Sequence, residues 1–410
     1  MKRFLLFSLM LLLLSCSTFA YDFMVDGIYY NCNTSNQTAS VTYNSTSDEG
    51  YSGVINIPDE VTYNEITYSV SSISESAFFG CSGLTEVFIP NSVIEIGSYA
   101  FSSCSGLTKV SISTGVTKIG NAAFSGCSAL KAVTIPNSVT NINKSAFRYC
   151  SSLTEVTIPN SVTEIGESAF FGCNALTKVY ISDLTAWCNI EFDTYLSNPL
   201  YHAHHLYLND TEIKELVIPD NVTKIGDHTF YGCSGLTKGT IPNSVKEIGK
   251  SAFSGCSGLT EVIIPNSVTE IGESAFSNCS GLTEMTIPND VTRIGDYTFY
   301  SCSRLTKITI PNSVTEIGES AFSNCSGLTE VTIPNNVSTI GIRVFYRCHN
   351  LKEVTIGSSV SLIGMDAFTG CNNLEKVYIS DLAAWCKIKF YDSYTNPLHY
   401  AHHLYLMHRK

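Results

Sequence analysis

Charge is what this 410-residue chain has least of. Only 15% of its residues are charged, against the ~25% usual in soluble domains. The 24 Lys and Arg are outnumbered by 36 Asp and Glu, for a net charge of −12. A cation deficit of this size excludes an ordinary nucleic-acid binder, which must displace the counterions of phosphate. It equally excludes a polybasic membrane-surface protein. Long apolar runs are missing beyond the first twenty residues, so no transmembrane helix of ~20 residues is expected. Gly-rich phosphate loops, Gly-x-Ser-x-Gly elbows and His-Glu-x-x-His pairs are missing too. With them go the sequence marks of phosphate-binding, acyl-transfer and metallopeptidase chemistry. No enzymatic activity, metal or cofactor is expected. In place of charge stand Ser, Thr and Asn, while 44% apolar residues and a positive mean hydropathy provide for a packed core rather than disorder.

Residues 1–20 read as an export signal. Lys2 and Arg3 precede an apolar stretch from Phe4 to Leu14, too short to span a bilayer as a mature helix. Two cleavage readings stand side by side. Thr18-Phe19-Ala20 fits ordinary signal peptidase, whereas Leu13-Leu14-Ser15-Cys16 resembles a lipobox that would leave Cys16 acylated as the lipid anchor. Both place the mature protein outside the cytoplasm, secreted or at the cell surface.

Repetition decides the fold. Phe recurs every 23 residues from Phe78 to Phe170 and again from Phe230 to Phe368, and a Cys follows each by three. The unit reads LTEVTIPNSVTEIGESAFSNCSG with small changes, and Ile closes its strand in all 13 units from Ile89 to Ile379. In Leu328–Ile333, Val331 and Ile333 alternate with polar residues, the period of a short strand with one packed face. Pro334 ends that strand by removing a backbone donor. Val337 and Ile340 turn inward along the next side, Gly341 permits a bend, and Phe345 and Cys348 share one face of a predicted helical turn. One unit cannot bury such a face alone, so stacking makes the core. The strands, at ~4.8 Å per coil, predict a body roughly 65 Å long.

Two longer units of 37 residues, 176–212 and 374–410, break the period. From Lys178 to Asn209 against Lys376 to Met407, 21 of 32 positions match. Asp183 and Asp381 are placed to cap short helices, and Ala-His-His-Leu-Tyr-Leu ends each unit as a candidate extra strand. Residues 21–73 differ from the rest: Asp26-Gly27 and Asn64-Glu65 mark hairpins, and the segment reads as a β cap over the first coil, with a strand at Val54 to Ile57. The domain reading is therefore signal 1–20, N-terminal β cap 21–73 and solenoid 74–410.

The repeated "IPNSVTEIGESAFSNCSGLTEV", the start "YDFMVDGIYYN" and the segment "AWCNIEF…NPLYHAHHLYLN" resemble the BspA-like, or treponemal-type, leucine-rich repeat family. The resemblance runs over about residues 21–410. It implies an α/β horseshoe-class, β-dominant solenoid with a parallel sheet on the concave face and short helical turns on the convex side. It further implies a cell-surface or secreted protein that adheres to host matrix proteins, microbes or epithelium.

Candidate sites follow from what the repeats leave exposed. Twelve repeat cysteines would stack as a ladder of buried free thiols, since parallel side chains do not face each other as a disulfide requires and a line of thiols is not a tetrahedral zinc site. The other mature cysteines, Cys32, Cys188 and Cys386, are the better candidates for reactivity. His202, His204 and His205, with His399, His402 and His403, are expected to be structural. Along the sheet, one exposed column runs through Glu86, Lys178 and Lys376, and a second carries the aromatic anchors Phe88, Tyr180 and Tyr378. An extended protein or glycan partner bound there by a monomer is one expectation. A passive surface-coat solenoid without a dedicated ligand is the other.

Overall fold

A computed structural model describes residues 21–43 and 50–407; the export signal and Cys16 lie outside the described residues. The chain winds into a β-solenoid of about 15 turns with few helices. Each 23-residue turn contributes a three- to six-residue strand to one parallel sheet, such as Leu84–Ile89 or Glu155–Thr157, and a two-residue strand to a second, such as Glu95–Ile96. The register repeats from turn to turn: Val133 lies beside Val156, and Ile142 beside Ile165. Inward residues of both sheets meet Phe and Leu of the turn segments in one continuous core.

The turn segments differ from the expected helical turns. Residues two before and two after each Phe take left-handed backbone angles, as at Tyr99 (φ 57°) and Ser103 (φ 63°) around Phe101. Alternation of this kind prevents a helix and leaves a chain of tight turns, in which Ala100 donates to Gly97 and Cys104 to Phe101. Coil-to-coil bonds take over the ladder, Phe78 N–H donating to Ala100 at 2.7 Å and Gly80 N–H to Ser102 at 2.8 Å. Gly341 also serves another purpose than the expected bend. Its φ is not left-handed, but a Cβ there would stand 2.8 Å from the carbonyl carbon of Gly318, so glycine is needed for close approach of neighbouring coils.

Inside the turns the Phe rings stack, with centroids 4.7 Å apart at Phe78–Phe101 and 5.7 Å at Phe276–Phe299. Beside them runs a sulfur ladder. Cys104 Sγ donates to the Phe78 carbonyl at 3.0 Å and Cys127 Sγ to Phe101 at 3.1 Å, a pattern that continues to Cys371 and Phe345. The Phe78 carbonyl thereby accepts two hydrogen bonds, one from Cys104 and one from the Cys81 amide of its own coil. A disulfide would forfeit this donor, which gives the repeat thiol a positive structural role.

At the start of the array, Phe23–Val25 and Ile28–Asn33 form a hairpin across Asp26-Gly27, and Glu60–Tyr63 and Ile66–Ile73 form another across Asn64-Glu65. Strand Ile66–Ile73 then pairs in parallel with Glu95–Ile96, and Gly53–Asn56 with Leu84–Ile89, which carries both sheets into the regular coils. In the strand core, Gly239 takes a position that Val fills in most units. The space beside it is limited, because an added Cβ would come within 3.3 Å of Val262 Cγ2. A larger side chain at 239 must move Val262 by a few tenths of an ångström.

Candidate functional site

The longer strands present two exposed columns with fixed neighbours. In the first, Glu86 stands beside Lys109, Glu155 beside Lys178, and Glu353 beside Lys376. Lys376 Nζ reaches Glu353 at 2.6 Å, whereas Lys109 and Glu86 stand 4.0 Å apart. The Glu353 carboxylate, by hydrogen bond first and charge second, holds Lys376 above its ordinary pKa. A hydrogen bond with Tyr180 does the same for Lys178. Solvent screens exposed pairs of this kind, so they add little to stability.

The second column carries the aromatic residues, and it holds more of them than the repeat pattern indicates. The strands Leu206–Leu208 and Leu404–Leu406 extend the sheet from the ends of the two long units. Tyr207 is thereby set beside Tyr180, ring centroids 5.1 Å apart, and Tyr405 beside Tyr378 at 5.3 Å. Each long unit thus offers a tyrosine pair, not a single anchor. Lys178 Nζ lies 5.8 Å over the Tyr207 ring, and Lys109 lies 5.2 Å over Phe88. The structure does not bring Phe88, Tyr180 and Tyr378 together: three intervening strands separate the first two, and Tyr378 lies in the other block of repeats. Between the tyrosine pairs the column presents Val217 (66% exposed) and Ile263 (55% exposed). Beside Ile263 the ladder of both sheets is interrupted, and a shallow cleft of about 450 Å³ opens between Glu261–Ile263 and Glu284–Thr286.

The histidines of the first long unit serve the joint between repeat blocks. His202 Nε2 accepts the Gly172 amide of the coil before at 3.0 Å, while His204 Nδ1 bonds the Gly232 carbonyl of the coil after at 2.9 Å. His205 pairs with Glu212 at 2.7 Å. Trp187 Nε1 and Asn198 Nδ2 both donate to the Thr229 carbonyl, at 3.1 and 3.0 Å, where a regular coil would supply the preceding Phe amide. Burial pushes the Cys188 thiol up to about 12, so it carries almost no thiolate at neutral pH and is a poor nucleophile. Cys386 is exposed and Cys32 half-buried. Among the described residues, no group of three His, Cys, Asp or Glu side chains is arranged to hold a metal ion. No helix among them is long and apolar enough to cross a membrane.

A family profile described as "BspA type Leucine rich repeat region" matches residues 58–177, 203–329 and 292–396. The chain belongs to the BspA-type leucine-rich repeat family. Solved structures of leucine-rich repeat proteins are similar to this BspA-type chain. A leucine-rich repeat protein of Bacteroides ovatus is 31% identical, with a TM-score of 0.61, 90% of this chain covered and 99% of that one. A leucine rich cell surface protein of Faecalibacterium prausnitzii is 28% identical, with a TM-score of 0.53 and coverage of 90% and 97%. The pneumococcal vaccine antigen PcpA shares the fold at 18% identity, with a TM-score of 0.55 and coverage of 88% and 93%. Among curated proteins, none matches this chain. BspA-type solenoids are typically non-catalytic interaction scaffolds, and the Faecalibacterium prausnitzii relative is by its name a cell surface protein.

Proposed function

We propose that this BspA-type chain is an exported, non-catalytic adhesive scaffold that holds an extended protein or glycan partner, host extracellular matrix included, along its long-strand sheet. The observation that carries the reading is the tyrosine pairing, Tyr180 with Tyr207 and Tyr378 with Tyr405, on the face whose exposed pattern repeats along the array. Taken as the concave side, that face offers an extended surface and shallow clefts, which suit a long partner held by many weak contacts better than a small molecule in an enclosed pocket. Export through residues 1–20 places the scaffold outside the cytoplasm, with Cys16 as its anchor if the lipobox reading holds. Aromatic side chains dominate interface energies, so Tyr180→Ala with Tyr378→Ala should weaken binding to an immobilised matrix protein at least about tenfold, or ~1.4 kcal/mol. The check is surface plasmon resonance on the mature protein, with circular dichroism as the control for folding. Unchanged binding by the double variant removes the strand face as the site. No binding to any matrix protein or glycan returns the chain to a passive coat.

A further inference from the structure

Aromatic residues occur on the turn side of several coils, as at Phe79, Tyr99, Tyr297, Tyr300 and Tyr346, but between residues 148 and 231 they form one contiguous group. Tyr149 lies 5.7 Å from Phe171, and Phe171 lies 6.3 Å from His202. The His202 ring touches Tyr201 at 4.7 Å, and Tyr201 stacks on Tyr231 at 6.2 Å. Tyr195 closes the group, 5.1 Å from Tyr231. The outermost rings are open to solvent, Tyr149 at 48% and Tyr195 at 41%. At one end the Arg148 guanidinium lies 4.6 Å over Tyr149 and 5.6 Å over Phe171.

Two polar atoms of this patch have no partner. They are Arg148 Nε and His228 Nδ1, the latter on a side chain only 8% exposed and 6.3 Å from the Tyr195 ring. Buried unpartnered polar atoms are rare and costly, and two of the five among the described residues fall here. Meanwhile the patch has no free backbone edge for a peptide strand. The Tyr149 amide is spent on Phe171, the Tyr231 amide on His228, and the Gly172 amide on His202. What it offers instead is ring faces, tyrosine hydroxyls and one planar cation. The neighbouring Lys144 is already engaged, 2.6 Å from Glu167. A sugar presents an apolar C–H face edged with hydroxyls, and a carboxylate on it matches the guanidinium fork.

We propose that this turn-side patch binds an acidic oligosaccharide, its rings lying on Tyr201 and Tyr231 and its carboxylate at Arg148, whose guanidinium Tyr149 and Phe171 hold in place. The site lies on a different side of the coil from the strand columns and stands or falls separately from them. Calorimetric titration of the full mature chain tests it, with hyaluronan and sialyl-oligosaccharides as acidic probes, chitin hexasaccharide as the neutral probe and decaproline as a peptide probe. At least one acidic probe should bind. Tyr201→Ala with Tyr231→Ala should weaken that binding about tenfold or more, and the exposed Tyr149→Ser, which spares the core, should weaken it less. Arg148→Met should bring the acidic probe down to the affinity of the neutral one, while Tyr180→Ala with Tyr378→Ala leaves it unchanged. The proposal is overturned if no acidic probe binds, if the strand-face variant abolishes binding, or if decaproline competes for the same tyrosines.

Discussion

The two 37-residue units are nearly the same text in two different surroundings. Leu184, Leu206 and Cys188 of the first are 7%, 0% and 2% exposed. Their counterparts 198 residues later differ: Leu382 is 52% exposed, Leu404 half-buried and Cys386 exposed. Yet the local fold is common to both. Asp183 and Asp381 cap equivalent short helices, and Asn198 and Asn396 each accept the amide two residues on. What separates them is the coil from Ile213 to Gly235, which lies against the first unit and supplies the carbonyls for Trp187, Asn198 and His204. Among the described residues, none forms such a coil beyond the second. Local sequence therefore sets the shape of a unit, and its neighbour sets the burial. A one-dimensional array behaves this way when interfaces carry much of its stability.

The strongest way to break this comparison is chemical. Cys188 and Cys386 hold equivalent positions, but reaction at Cys188 requires its coil to open and its thiol, pushed up to about 12, to ionise. Cys386 should alkylate on the order of a thousandfold faster in the native protein, read by mass spectrometry of timed labelling. Equal rates would mean that something covers the second unit in solution, or that the joint opens readily.

The next effect is energetic. Leu184→Ala should cost about 2–4 kcal/mol by leaving a cavity, and Leu382→Ala less than ~1 kcal/mol, because half of that side chain already faces water. Urea unfolding gives both numbers. Similar costs would remove the neighbour's coil as the source of the difference.

Much of this was legible in the sequence, for a physical reason. Strand alternation, hairpin dipeptides at Asp26-Gly27 and Asn64-Glu65, and the caps at Asp183 and Asp381 are local signals. The left-handed residues of the turns were not legible. Ser76, Tyr99 and Ala122 adopt them, none of which is a residue that prefers that region, and the coil-to-coil bonds compensate for the strain. Nor was the bond from Trp187 to Thr229, which joins residues 42 apart and exists only once the coils stack. Of the candidate site, Tyr180 and Tyr378 could be found from the repeat. Their partners Tyr207 and Tyr405 were hidden in the long units, where the alternation Leu-Tyr-Leu was the only hint.

Asn198 sharpens the comparison at the hydrogen-bond level. Its amide donates to the His228 and Thr229 carbonyls at 2.8 and 3.0 Å. Asn198→Ala should cost about 1–3 kcal/mol, since the bonds are lost in a dry interface. Asn396→Ala removes only the local bond to Leu398 and should cost ~1 kcal/mol or less. A double-mutant cycle of Asn198→Ala with Trp187→Phe should show coupling of at least ~0.5 kcal/mol, because both donors serve the Thr229 carbonyl. Additive costs would mean that they act separately.

The smallest effect expected is a pH dependence that arises at the first unit. His202 Nε2 accepts the Gly172 amide, so that nitrogen must be unprotonated in the folded joint. Burial, and then the charge of His204, hold its pKa below the ordinary value of 6.5. His228 is lowered in the same sense by burial and Lys250, with Asp227 opposing. The unfolded chain then takes up these protons first as pH falls. The stabilisation is complete above pH ~6.5, declines below it, and levels off once the folded histidines are protonated as well. His202 is only half-buried and solvent screens it, which is why the effect ranks last. The corresponding residue of the second unit is Tyr400, which has no imidazole to accept a neighbouring coil's amide, so the second unit has no counterpart of this bond. Urea midpoints at pH 7.5 and 5.5 should fall for the native protein, and the fall should shrink in His202→Gln, whose side-chain oxygen can still accept the Gly172 amide. A slope unchanged in both His202→Gln and His228→Gln would place the titrating group outside the joint.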